Sequence, residues 1–236
     1  MSNWEVTCLS DIGVSRQVNE DHADYRVFPT CDKTAVACVL ADGVGGLRDG
    51  DTASLLAVRK VLEFLESYML TSDLRMHKIA HLDAIYEAHE ELHRSSEARF
   101  GSPTQMGSTI LSVTLIDNVL TAASIGDSSL YVIEGCEAVS LFQPQRLPGY
   151  RNVLTQCAGG SVTISPMSLQ REVHSTSQLL LCSDGLSDFV SVSEVAEICL
   201  RNSRPTPLKL ERLIDIAKQR GSTDNITAAF IAKSLS

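Results

Sequence analysis

The 236-residue chain has seven cysteines, an odd number, and no C-x-x-C pair. That argues against a disulfide framework and against zinc held through paired cysteines. Cys8, Cys38 and Cys182 sit in apolar, strand-like stretches and read as buried reduced thiols. None of the cysteines has Arg six positions later, so the loop of a cysteine-based phosphatase is missing, and no G-x-x-x-x-G-K-[ST] marks a P-loop. Positive charge is scarce: 20 Lys and Arg face 29 Asp and Glu, a net charge of −9. This argues against a nucleic-acid groove or an anionic membrane surface as the main partner. No apolar run approaches the ~18 residues of a bilayer span. The first residues lack the basic and apolar regions of a signal peptide, so a cytoplasmic location is expected. Pro- or Ser-rich linkers, repeats and low-complexity segments are also missing. One domain over residues 1–236 is expected, and 44% hydrophobic content suffices for its core.

What the chain does have is acid placed beside glycine or asparagine at separate points: Asn19-Glu20-Asp21, Asp42-Gly43-Val44-Gly45-Gly46, Gly126-Asp127-Ser128, Ser183-Asp184-Gly185 and Thr223-Asp224-Asn225. Most flank apolar, β-prone stretches such as Ala35 to Ala41 and Leu179 to Cys182. A carboxylate at the end of a buried strand is costly unless it is paired or bound to a metal. Several of them, with almost no Lys nearby, suggest one oxygen-lined pocket for hard cations. Glycine lets the backbone turn sharply and approach an ion or phosphate closely. Two divalent ions about 3.5–4 Å apart can activate a water for attack on phosphorus. Such a reaction also needs a cation to orient phosphoryl oxygens, and Arg16, just before Asp21, can grip phosphate bidentately.

Periodicity predicts strands at Trp4 to Leu9 and Thr34 to Ala41, then helices from about Asp51 to Leu70 and Asp73 to Arg99. Asp49 or Asp51 is a candidate cap for the first helix. Ser108 to Ile133 reads as a β-meander, with Asp117-Asn118 as a hairpin turn and Gly126-Asp127 as a break. Strands follow at Val162 to Ser165, Gln170 to His174 and Gln178 to Cys182, helices at Val192 to Leu200 and Pro207 to Gln219, and a last strand at Ile226 to Ala232. Strands and helix pairs do not alternate in βαβ fashion, so an antiparallel sandwich flanked by helices is the natural solution. The acidic motifs then fall on loops at one edge.

The run Ser10-Asp11-Ile12-Gly13-Val14-Ser15-Arg16-Gln17-Val18-Asn19-Glu20-Asp21 resembles the opening motif of the metal-dependent protein phosphatases of type 2C. Ala41-Asp42-Gly43-Val44-Gly45-Gly46 is similar to the second motif, and Gly107-Ser108-Thr109 with Gly126-Asp127-Ser128 to the central ones. Cys182-Ser183-Asp184-Gly185-Leu186-Ser187-Asp188 and Thr223-Asp224-Asn225-Ile226-Thr227 complete a set in the family's order across nearly the whole chain. The resemblance implies an α+β fold, a four-layer α-β-β-α sandwich of two antiparallel sheets flanked by helices. It also implies hydrolysis of phosphoserine and phosphothreonine in proteins through a water activated by two Mn²⁺ or Mg²⁺ ions. By position, Asp42 and Gly43 would bind or bridge the ions, with Asp21, Asp184 and Asp224 completing their shells and Glu20 in support. Asp127 and Asp188 match positions that can hold a third, weaker ion. Arg16 matches the phosphate-binding arginine, and Asn225 follows the last metal aspartate. The implied partners are phosphoprotein targets of a Ser/Thr kinase, met by a monomer without nucleic acid or membrane.

Two departures stand out. Val44 occupies the place where many eukaryotic members carry His, which suggests a bacterial-type member that takes its leaving-group proton from water. The flap found in bacterial relatives is reduced to little more than residues 142–151. Two competing readings are weaker. His89-Glu90-Glu91-Leu92-His93 is a literal H-E-x-x-H, but Ser96 and Arg99 stand where the extended zinc signature needs Gly and His. Those histidines read as ordinary surface or half-buried residues. A catalytically silent phosphoprotein-binding module on the same fold would have lost carboxylates that this chain retains.

Overall fold

The computed structural model describes residues 4–29, 34–69, 74–200 and 206–233. Cys31 and the predicted helix ends Leu70 and Asp73 lie outside them. The elements run β1 (Trp4–Asp11), β2 (Asp21–Pro29), β3 (Thr34–Asp42), α1 (Gly50–Met69), α2 (Leu74–Phe100), β4 (Ile110–Ile116), β5 (Val119–Ile125), β6 (Ser129–Glu134), β7 (Glu137–Ser140), β8 (Met167–Glu172), β9 (Gln178–Cys182), α3 (Asp184–Ser187), α4 (Val192–Leu200), α5 (Thr206–Gln219) and β10 (Ile226–Lys233). The strands form two five-stranded sheets, β1-β10-β9-β6-β7 and β2-β3-β4-β5-β8. Every neighbouring pair is antiparallel.

Strand β3 shows why the layers stack in this order. Successive side chains point to opposite faces. Val36, Cys38 and Leu40 enter the core between the sheets, where Leu130, Leu179, Leu181 and Ala229 meet them. Ala37, Val39 and Ala41 face α1 and α2 instead. Buried on both faces, the strand reads as a continuous apolar run rather than an alternation. Small residues at the helix contact (Ala53, Ala57, Ala80, Ala84 and Ala88) let the helices lie close to the sheet. On the opposite face, α4 and α5 pack Cys199, Leu210, Leu213 and Ile214 over Phe230 and Leu180. The expected four-layer sandwich is therefore present.

Several local expectations need correction. The predicted meander over 108–133 is divided between sheets: β4 and β5 pair in one, and β6 belongs to the other. The crossing occurs at Gly126, whose φ is +99°, and a Cβ there would lie 2.6 Å from Thr109 Cγ2. No strand forms at Val162 to Ser165, where Val162 is 80% exposed and buries nothing against a sheet. Strand β8 begins at Met167 instead of Gln170. Asp49 precedes α1, but its carboxylate accepts from Arg99 at 2.6 Å, and it is its backbone carbonyl that receives Ala53 N–H.

His81 of α2 is fully buried, with Nδ1 2.8 Å from Ser112 Oγ and Nε2 2.9 Å from Thr114 Oγ1. Burial, reinforced by His77, lowers its pKa to about 3. The neutral ring is thus favoured in the fold, while the unfolded chain protonates near 6.5. Stability linked to His81 is complete above 6.5 and is lost as pH falls toward 3, by up to about 1.4 kcal/mol per pH unit. Between pH 7 and 5 the melting temperature of the wild type should therefore drop relative to that of His81→Gln. Parallel curves would show that the ring carries no such linkage.

Candidate functional site

Antiparallel pairing puts the first residue of β2 opposite the last of β3, so Asp21 and Asp42 are direct cross-strand partners. At the same rim β9 ends and Asp184 opens α3, while β5 ends just before Gly126 and Asp127. Asp224 lies in the turn before β10. An open cleft of about 530 Å³ is lined here by Arg16, Asp42, Gly43, Asp127, Asp184 and Asp224, among others. Asp21 is buried beside them, with Oδ2 accepting from Ser183 Oγ at 2.8 Å.

The central motifs serve as supports. Asp42 N–H donates to Thr109 Oγ1 at 2.9 Å, and its carbonyl accepts from Thr109 N–H at 2.8 Å and Ser108 Oγ at 2.9 Å. Gly43 donates to the Glu20 carbonyl at 2.9 Å, and a Cβ on it would lie 2.2 Å from Gly50 O. Only glycine fits that approach. Asn225 is 3% exposed and ties down the loop that carries Arg16. Its Oδ1 accepts Glu20 N–H, and its Nδ2 donates to the carbonyls of Ile12 and Val18. Arg16 then reaches Asp224 at 2.9 Å and, more loosely, Glu20 at 3.4 Å, with 38% of its side chain exposed.

Electrostatics identify what the cluster requires. Burial, then repulsion from Asp21, Asp184, Asp127 and Asp224, pushes the Asp42 carboxyl well above its usual range. Burial and the charges of Asp127 and Asp224 raise Asp184 to about 7, against the pull of Arg146. Burial raises Asp21 to about 6 despite its hydrogen bond from Ser183. Burial likewise raises Glu20. Asp21 Oδ1 is buried with no hydrogen-bond partner, an arrangement that costs free energy unless a cation meets it. An all-carboxylate set with an orphaned oxygen at its centre fits hard divalent ions and not zinc.

The rim thus gathers Arg16, Glu20, Asp21, Asp42, Gly43, Asp127, Asp184, Asp224 and Asn225 in one place. Asp188 joins through an arginine that sequence reading overlooked: Arg146 bridges Asp127, Asp184 and Asp188. Its partners are 19, 38 and 42 residues away, so no local pattern signals it. Ser183 was also missed as a relay, accepting Thr227 N–H while donating to Asp21. The H-E-x-x-H pair has another task. His89, buried rather than on the surface, accepts Gly159 N–H at 3.0 Å, and His93 Nε2 donates to the Ser161 carbonyl at 3.0 Å. Both histidines hold a turn that supplies Gly160 and Ser161 to the cleft wall. Among the described residues no histidine lines the cleft, whereas Val44 does.

A family model described as Protein phosphatase 2C matches residues 13–228. The chain is 30% identical to protein phosphatase PhpP of Streptococcus pneumoniae, covering 97% of each chain. The solved serine/threonine phosphatase of S. agalactiae superposes with a TM-score of 0.83 at 24% identity, over 97% of this chain and 99% of that one. The catalytic domain of the phosphatase PstP, solved in complex with two manganese ions, gives 0.80 at 25% identity, over 98% of each chain.

Proposed function

The chain belongs to the protein phosphatase 2C family and is a metal-dependent protein serine/threonine phosphatase, and from that premise we propose that Asp21, Asp42, Gly43, Asp184 and Asp224 hold two Mn²⁺ or Mg²⁺ ions per site. The observation that carries this reading is the unpartnered, buried Asp21 Oδ1 set across from Asp42, whose own carboxyl is surrounded by like charge. When bound, such ions polarise phosphoryl oxygens and activate water for attack on phosphorus.

The chain's residues supply the remaining tasks. Arg16, half-exposed at the cleft, orients the phosphoryl group of a phosphoserine or phosphothreonine side chain. Glu20 holds the guanidinium from behind, and Asn225 keeps the Arg16 loop in register. Val44 cannot move a proton, so the leaving oxygen takes its proton from solvent. The whole chain acts as one phosphatase domain with a shortened flap at 142–151. It works as a cytoplasmic monomer on phosphoproteins made by a Ser/Thr kinase. Among the described residues no helix is long and apolar enough to cross a membrane.

Titration of Mn²⁺ followed by its EPR signal tests the ligand assignment. The wild type should bind the ion, and Asp21→Asn and Asp224→Asn should each weaken binding at least ~10-fold, the least that loss of even a supporting contact around a metal site typically costs. Unchanged affinity in both variants would overturn the assignment.

A further inference from the structure

Arg146 commits its whole guanidinium to carboxylates. Nε donates to Asp127 at 2.6 Å, Nη1 to the two oxygens of Asp188 at 2.9 and 2.8 Å, and Nη2 to Asp184 at 3.2 Å. Its side chain is only 13% exposed. Burial by itself would make the guanidinium easier to deprotonate, but Asp127 and Asp188 hold it charged. The neighbouring residue fixes its placement. Gln145 pairs with Gly126 through both backbone and side chain, and its carbonyl accepts from Thr155 N–H and Oγ1. The backbone carrying Arg146 is therefore tied both to the strand end beside Asp127 and to the cleft wall. An arginine that grips phosphate needs donors turned toward the cleft. Arg16 retains such exposure, whereas all three nitrogens of Arg146 are turned to carboxylates.

The two arginines divide the acidic rim. Arg16 serves Asp224 and Glu20, Arg146 serves Asp127, Asp184 and Asp188, and Asp42 is left with carboxylates as its main charged neighbours. Resting on the ligand assignment above, we propose that Arg146 is a built-in cation standing in for a third divalent ion between Asp127 and Asp188, so that this chain binds two ions per site and not three. Arg146 is also a positioning residue, since its third contact turns Asp184 toward the two ions that remain.

Equilibrium dialysis with elemental analysis across micromolar to millimolar Mn²⁺ tests this directly. The wild type should hold two ions per chain throughout. Arg146→Ala should take up a third ion that appears only at millimolar Mn²⁺, and Arg146→Ala combined with Asp188→Asn should lose it again. Arg146→Lys should stay near two, because the ammonium restores the charge. Removing the guanidinium leaves partly buried carboxylates unpaired, so Arg146→Ala should melt below wild type in chelator and gain more from millimolar Mn²⁺ than wild type does. Should that variant fail to fold, Arg146→Gln, similar in reach but uncharged, must show the same third ion. A wild type holding three ions overturns the proposal. So does a folded alanine or glutamine variant that holds two and gains no more from Mn²⁺ than wild type. A wild type that holds none overturns the ligand assignment instead.

Discussion

Asp42→Asn should lower kcat/KM on a phosphothreonine peptide by at least ~1000-fold, about 4 kcal/mol of transition-state stabilisation. The same change should raise the melting temperature of the protein held in chelator. Both effects share one cause. Asp42 sits among Asp21, Asp184, Asp127 and Asp224, and the repulsion that Arg16 and Arg146 do not offset is relieved by protons or by bound cations. An amide removes the repulsion and with it the main charge that attracts the ions, so function and metal-free stability move in opposite directions. The linkage can be checked by pH. Asp184, with its pKa raised to about 7, is protonated in the metal-free fold at acid pH and carries no penalty below the ordinary carboxylate value near 3.8. As pH rises through about 7 the proton is lost and the stability it gave is gone. Measured against Asp184→Asn, metal-free wild type should accordingly lose stability from pH 5 to 7, and Mn²⁺ should bind more weakly toward pH 5, where protons compete for the same oxygens. Turnover that survives in chelator, or an Asp42→Asn variant with wild-type kinetics, would refute the site.

Arg16→Ala should cost roughly ten- to a hundredfold in kcat/KM, the equivalent of about 1.5–3 kcal/mol for one charge-assisted hydrogen bond. Arg16→Lys should recover only part, because an ammonium lacks the planar fork. The structure adds a control. Arg16 is held by Asp224 at 2.9 Å, itself a proposed ligand, so a merely electrostatic Arg16 would change metal affinity instead of substrate handling. Mn²⁺ affinity in Arg16→Ala should stay within a few-fold of wild type while kcat/KM falls. An alanine variant with unaltered kinetics would make Arg16 an ordinary surface cation.

Legibility in the sequence followed burial. Strand β9 and helix α4 were read to the residue, since uniform apolar character and clear periodicity leave little choice. Strand β2 was missed, being an edge strand whose Tyr25, Arg26 and Val27 are exposed in succession and blur its pattern. The crossing at Gly126 was seen as a break but not as a change of sheet, because periodicity is blind to which sheet a strand joins. At the site, most of the acids stood out because glycine or asparagine flanks them, and Arg16 because it stands just before Asp21. Arg146 did not, since its meaning lies wholly in carboxylates brought to it by the fold.

Strand β2 runs against β3 residue for residue, from Asp21 opposite Asp42 to Pro29 opposite Thr34. That ladder is a ruler, and its zero mark is the end at the carboxylate cluster. One extra residue within β2, with the remaining pairing kept, would bring His22 opposite Asp42, an imidazole where an oxygen belongs, and tilt the site toward zinc. One residue fewer would bring Glu20 there, keeping the charge on a longer arm but taking it away from Arg16. Length in this strand is therefore as strictly bounded as the identity of the aspartates themselves, and changes of length are tolerable only beyond its far end.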